Sequence, residues 1–237
     1  MRAWLATSLV AAMVVAPALA GPGKFAAMLA SPDRPAADKA RDADRKPAEL
    51  MAFGRIKTGA VVAELAPGGG YYTRLISLVV GPKGHVYTVS SKPSAAVAEW
   101  VKNHPNTTEQ SGQLAVLAPV RVDVVWTALN YHDFKNIKDG DSDMAASLTK
   151  RAFAALKPGG IFLINDHEAG LGVGASVTSS LHRIEAALVI KEVEAAGFKL
   201  DAQSNLLRHP EDNHTLHEKD VPRGKTDQLV LRFRKPR

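Results

Sequence analysis

The sequence predicts an α/β fold in which helices sandwich a largely parallel sheet. Two observations lead there. From Gly59 onward, short apolar runs rich in Val and Ile alternate with stretches of helical periodicity. Glycine turns separate them, above all in Glu64-Leu65-Ala66-Pro67-Gly68-Gly69-Gly70. Alternation of this kind is how a chain buries both faces of a parallel sheet. With 237 residues and no internal repeat, one such domain accounts for nearly the whole length.

The start of the chain stands apart from that domain. Arg2 is a short basic region, Trp4 to Val15 an apolar run, and Ala18-Leu19-Ala20 a small-x-small cleavage site. Residues 1–20 are therefore expected to be a secretory signal, since a membrane span needs about 20 apolar residues. Export to a periplasm or beyond the cell follows, with no stable membrane insertion after cleavage. Residues 21–40, rich in Ala and Pro, are expected to be an extended lead-in, and residues 41–237 the α/β domain.

Along the domain, Asp38 to Phe53 has helical spacing, interrupted at Pro47, which starts a second short helix. The first strand is expected over 60–65, followed by a helix to about Val79. Gly81-Pro82-Lys83-Gly84 turns the chain into a second strand, His85 to Val89. A short helix, Ala95 to Lys102, precedes a weak third strand at Leu114 to Leu117. Val122 to Trp126 is the fourth strand, and Met144 to Leu156 the helix after it. Lys157-Pro158-Gly159-Gly160 leads into the fifth, Ile161 to Ile164. Residues 168–176 are expected to be a loop, and Val177 to Ala196 one long helix closed by Gly197. Phe198 begins another strand, and Gln228 to Phe233 is the last.

Composition removes several functions. With no cysteine there is no disulfide, no thiolate nucleophile and no lipid-modified cysteine. The formal charge of +6 owes much to Arg223, Lys225, Arg232, Arg234, Lys235 and Arg237. Around the last strand these are read as a solvated face that discourages edge pairing, rather than a nucleic-acid footprint. His209, His214 and His217, with Glu211 and Asp212, match no zinc spacing and are read as a polar loop. Asp123, at the start of its strand, is read as structural.

The glycine turn after the first strand brings backbone N–H groups and unobstructed backbone up to one ligand. In this place and order it resembles the class I methyltransferases, from about Arg41 to Pro236. The turn before the fifth strand and an antiparallel last strand belong to the same likeness. More narrowly, the chain is similar to a family of exported, predicted methyltransferases. The shared elements are Arg41-Asp42 with Arg45-Lys46-Pro47, Gly69-Gly70-Tyr71-Tyr72-Thr73, Asn130-Tyr131-His132-Asp133, Asp166-His167, Leu181-His182-Arg183-Ile184, and Leu207-Arg208 followed by Asp212.

The resemblance implies a doubly wound, mostly parallel, seven-stranded Rossmann-like sheet with helices on both faces. It implies S-adenosylmethionine as cofactor, held by Glu64, Ala66, Pro67, Gly68, Gly69, Gly70, Tyr71, Ser90 and Asn130. Residues leaving the first, fourth and fifth strands converge on one pocket in such a sheet. His132, Asp133, Asp166 and His167 then form the catalytic cluster, with His182 as a further candidate. Imidazoles titrate near neutral pH and suit a base for an oxygen or nitrogen acceptor, with the carboxylates to orient them. An alternative to the polar-loop reading has Arg208 and Asp212 closing over the pocket.

Two departures bear on the cofactor. Ala66 replaces a glycine, which requires a negative φ, and Ser90 replaces an acidic residue that would bind both ribose hydroxyls. Export also separates the protein from the cytoplasm, where S-adenosylmethionine is made. The expected function is S-adenosylmethionine-dependent methyl transfer to a small-molecule acceptor. One alternative is a non-catalytic ligand-binding protein that retains the fold. Another is a metal-dependent enzyme of a different class; Asp133, Asn165 and Asp166 are possible oxygen ligands for a divalent metal, although no metal is assigned. No nucleic-acid partner is expected, because Asn130-Tyr131-His132-Asp133 stands where an Asn/Asp-Pro-Pro-Tyr motif would be needed. The oligomeric state is left open.

Overall fold

A computed structural model describes residues 23–112 and 121–237. The expected signal segment and the strand expected at 114–117 lie outside the described residues.

The chain opens with four short helices, α1 (Gly23–Ala30), α2 (Ala36–Lys39), α3 (Asp42–Arg45) and α4 (Pro47–Phe53). There follow β1 (Val61–Leu65), α5 (Tyr71–Val80), β2 (His85–Ser90), α6 (Ala95–Asn103), β3 (Thr107–Ser111) and β4 (Val122–Ala128). Next come α7 (Tyr131–Lys135), a two-stranded ribbon of β5 (Lys138–Asp139) and β6 (Ser142–Asp143), α8 (Met144–Ala155) and β7 (Leu156–His167). The chain ends with α9 (Ala186–Ala195), β8 (Lys199–Gln203) and β9 (Gln228–Arg234). The fourth strand of the sequence reading is β4, the fifth is β7 and the last is β9.

Seven strands form one sheet in the order β3-β2-β1-β4-β7-β9-β8, with β9 antiparallel to both neighbours and the other pairs parallel. This is the expected mostly parallel α/β sheet with an antiparallel last strand. Side chains alternate between two cores, as period-2 strands require. Val62, Val124, Trp126 and Leu163 face one core with α4 and α5. Ala63, Val125, Phe162 and Ile164 face the other with α7, α8 and α9. Strand order reverses between β1 and β4, so the ligand crevice is expected beyond their carboxyl ends.

Asp123 is structural, as expected: it accepts hydrogen bonds from the Val61 N–H at 2.8 Å and Lys157 Nζ at 2.7 Å, tying three strands together. Arg232 and Arg234 both pair with Asp201 of β8, so this part of the basic tail holds the sheet edge. No helix among the described residues is long and apolar enough to cross a membrane.

Two expectations need correction, and one strand went unanticipated. Residues 23–30 are helical rather than extended, because Phe25 and Met28, three apart, bury themselves in the core. The strand beside β2, Thr107–Ser111, was not anticipated, because its polar, edge-strand composition carries no apolar signal; the strand expected at 114–117 is not tested by it. The helix expected from Val177 begins only at Ala186. Before it, His182 takes a left-handed φ of 52°, Ile184 bridges to Glu168, and Arg183 turns inward. The Glu168 carboxylate accepts the Ala186 N–H at 3.0 Å and so fixes where the helix starts.

Candidate active site at the carboxyl edge of the sheet

Two cavities flank the turn Ala128–Tyr131 at the carboxyl edge. The larger, a cleft of about 730 Å³, is lined by Ala66, Gly68, Ser90 to Ser94, Asn130, Asp133, Phe134 and His182, among others. The smaller, about 260 Å³, is lined by Arg41, Arg45, Tyr72, Leu129, His167, Glu218 and Arg223, among others. Leu129 faces one and Asn130 the other, and the Asn130 amide spans the gap to β1 by donating to the Ala66 carbonyl at 3.2 Å.

The glycine turn is built for close approach. Gly68 has a φ of 54°, and a Cβ added there would meet nothing within 4 Å and so project into open space. Gly70 also has positive φ, but it is packed against Arg74 and Val97. Ala66 was expected to need a negative φ; it has +51°, a conformation that costs an alanine roughly 1–2 kcal/mol. Leu129 and His182 are likewise left-handed at 60° and 52°, so three strained residues ring the crevice. Such strain persists where surroundings over-determine it, most often at functional sites.

The cofactor candidates divide in two. Ala66, Gly68, Ser90 and Asn130 line the cleft. Ser90 spends its hydroxyl on the Lys92 carbonyl at 2.8 Å, which shapes the loop after β2. Glu64 and Tyr71 are buried away from it. The Tyr71 hydroxyl donates to Asp42 at 2.7 Å, and its ring lies under Arg41 and Arg45. Glu64 accepts from Thr73 Oγ1 at 2.6 Å, fastening β1 to the first turn of α5. These two position the glycine turn rather than touch a ligand in the cleft. Pro67 and Gly69 belong to the turn itself.

Burial pushes the Glu64 carboxyl up to about 7, against the Thr73 hydrogen bond and the Arg74 charge. The folded state therefore holds its proton above pH 4.5, where the unfolded chain has released it. Stability should fall as pH rises from about 4.5 to about 7, by on the order of 3 kcal/mol. Glu64→Gln keeps an acceptor for Thr73 and has no proton to lose. Urea titrations at pH 5 and pH 8 should find the variant equal to wild type at the first and more stable at the second.

The catalytic candidates come together closely. Asp166, fully buried, accepts from His132 Nδ1 at 2.7 Å, from the His132 N–H at 2.8 Å and from the His167 N–H at 2.8 Å. His132 Nε2 lies 3.4 Å from Asp133 Oδ1 and 3.3 Å from His182 Nδ1. Burial opposes the His132 imidazolium, but Asp166 and Asp133 outweigh it and push its pKa up to about 10. His167 lies on the other side of the sheet edge, its ring centroid 6.0 Å from that of His132. Burial pulls its pKa down, and its buried Nδ1 has no hydrogen-bond partner among the described residues.

The oxygen set of Asp133, Asn165 and Asp166 does not assemble. Asn165 Oδ1 accepts from Trp126 Nε1 at 3.0 Å within the core, and Asp166 is committed to His132 and His167. Nor do Arg208 and Asp212 close over the pocket. Arg208 pairs with Asp227, and Asp212 receives the buried Arg183 guanidinium at 2.8 and 3.1 Å. Sequence reasoning missed Asp227, which also accepts from His214 Nε2 at 2.9 Å; a lone aspartate just before an interior strand carries no pattern.

The fold recurs in solved structures of low sequence identity. A S-adenosylmethionine-dependent methyltransferase from Aquifex aeolicus matches 84% of this chain and 94% of its own, with a TM-score of 0.60 and 17% identity. An arsenic(III) S-adenosylmethionine methyltransferase from Chlamydomonas reinhardtii matches 92% of this chain and 75% of its own, at 0.56 and 19%. The chain has the class I methyltransferase fold. That fold hosts other chemistry too: the cyclase SpnF matches 82% of this chain and 81% of its own, at 0.60 and 13%. No family model and no curated protein matches the sequence. The function of this methyltransferase-fold chain therefore has to be argued from its site.

Proposed function

We propose that the protein is an S-adenosylmethionine-dependent methyltransferase acting on a small, polar acceptor. The observation that carries this is the cleft at the strand-order reversal, walled by the open Gly68 turn and facing a His/Asp cluster. A cleft of about 730 Å³ falls in the size range of small-ligand and cofactor sites. The turn 66–70, the loop 90–94 and Asn130 would hold the cofactor, which when bound supplies an already activated methyl group. What remains for the protein is positioning and, for a protonated acceptor, removal of one proton.

The smaller cavity suits the acceptor. Its volume of about 260 Å³ suits a small molecule, and its three arginines and Glu218 call for polar groups. His167, which lines this cavity, is our candidate to accept the acceptor's proton: burial lowers its pKa, and Nε2, 4.0 Å from Glu218, is the ring nitrogen that is not sealed in the core. His132 is a poor base at neutral pH because two carboxylates hold its proton; with Asp166 it fixes the backbone from which His167 projects. Export, argued from residues 1–20, remains part of the proposal and would place this chemistry outside the cytoplasm.

The test is formation of S-adenosylhomocysteine from S-adenosylmethionine across a panel of small carboxylated, hydroxylated and amino acceptors. His167→Gln should lower turnover at least ~100-fold, the usual range for a general base, with cofactor affinity unchanged. Equal loss of cofactor affinity would give His167 a binding role instead. Turnover with no acceptor in the panel, alongside tight cofactor binding, would favour the non-catalytic binding reading.

A further inference from the structure

We infer that His132 Nε2, His182 Nδ1 and Asp133 Oδ1 form the protein face of a site for a first-row divalent transition metal, Zn²⁺ by preference of the donor set. The three atoms make a nearly equilateral triangle, with edges of 3.3 Å between the imidazoles and 3.4 and 3.2 Å from His132 and His182 to Asp133. Ligands about 2.0–2.1 Å from a tetrahedral ion stand roughly 3.3–3.4 Å apart, so the triangle has the dimensions of one tetrahedral face. Two imidazoles and one carboxylate suit zinc or its neighbours rather than Mg²⁺ or Ca²⁺, which take oxygen.

The surroundings are those of a metal site. Asp166 Oδ1 on His132 Nδ1, at 2.7 Å, keeps a proton on that nitrogen, so an ion in the triangle would take the place of the Nε2 proton that faces Asp133. Asp166 is itself fixed by two backbone N–H groups and is fully buried. His182 reaches the triangle only through a left-handed φ of 52°, and the next residue, Arg183, is locked to Asp212. Two of the three donors stay accessible, the Asp133 side chain at 42% and that of His182 at 31%, and both line the large cleft. An ion held here keeps at least one coordination position toward that cleft, open to an oxygen or nitrogen of a bound small molecule. The site does not rest on the methyl-transfer reading, and it differs from the oxygen set that the sequence suggested.

The experiment uses protein stripped with a chelator and returned to metal-free buffer, without any methyl donor. Zn²⁺ is titrated in a calorimeter, and Co²⁺ is added in parallel to read its visible ligand-field bands. One ion per chain is expected, with intense, tetrahedral-type cobalt bands. His182→Ala and Asp133→Ala should each weaken binding at least 100-fold and abolish those bands. Asp166→Asn should weaken it about 10- to 100-fold while the bands persist, as expected of a positioning residue. His85→Gln, distant on β2, should change nothing, and circular dichroism establishes that each variant is folded. Absence of saturable binding would overturn the site and leave a purely hydrogen-bonded cluster. So would stoichiometric binding that survives both ligand substitutions, which would place the ion elsewhere. Neither result would bear on cofactor binding, which is measured separately.

Discussion

Arg183→Met should cost about 3–5 kcal/mol of folding stability, the largest loss expected from any single polar substitution here. Arg183 is completely buried and donates four hydrogen bonds: two to Asp212, one to the Glu168 carbonyl at 3.0 Å and one to the Leu216 carbonyl at 2.9 Å. Removing it strands a buried carboxylate and two carbonyls at once. Asp212 would retain only the N–H groups of Asp227 and His214. A lysine cannot replace this fork, because an ammonium has no planar pair of donors for Asp212. The consequence reaches the site, since Arg183 joins the strand-edge residue Glu168 to the segment that carries Glu218 beside His167. Urea unfolding checks the figure, and a loss under 1 kcal/mol would show that water replaces the guanidinium without penalty.

Gly68→Val should abolish binding of S-adenosylmethionine while leaving the protein folded. Two effects act together at this position. At a φ of 54° a β-branched side chain is strained, by roughly 1–2 kcal/mol, which a domain of this size can absorb. The same side chain projects where no protein atom lies within 4 Å, which is the space assigned to the cofactor. The affinity loss expected is about 100-fold or more, or at least 2.7 kcal/mol of binding. Gly68→Ala separates the effects, because it introduces most of the strain with little bulk. Calorimetry on both variants, with thermal unfolding as a control, decides the matter. Affinity within twofold of wild type for the valine variant would remove the cofactor from this cleft.

The legible parts of the fold were those fixed by local pattern. Val61 to Leu65, Val122 to Ala128 and Gln228 to Arg234 announce themselves by apolar and β-branched residues between turn signals. Gly68 and Gly70 mark the turn because only glycine takes their positive φ without strain. His132, Asp133, Asp166 and His167 were legible as a set, since residues leaving neighbouring parallel strands must meet.

What was not legible depends on contacts distant in sequence. Val177 to Ile184 has helical periodicity, yet Arg183 finds Asp212 29 residues on, and that bond pulls the segment out of a helix. The same event turns His182, expected on a helix, into a loop residue aimed at His132. Tyr71 and Glu64 belong to the motif by sequence, but their side chains pack behind the turn against Asp42 and Thr73. A motif states which backbone approaches the ligand; it does not state where each side chain in it points. Ala66 adopts the glycine-like φ of 51° despite its Cβ, with its N–H donating to the Val89 carbonyl and its own carbonyl accepting from Asn130. Those two bonds hold the strained conformation that composition alone would have excluded.

We propose that the cleft between the Gly68 turn and the His/Asp cluster holds S-adenosylmethionine. Calorimetric titration of the protein from Gly21 onward tests it most directly. One S-adenosylmethionine per chain is expected to bind with a micromolar dissociation constant, and Gly68→Val to abolish that binding. No heat of binding at millimolar S-adenosylmethionine, from protein shown to be folded, would contradict it.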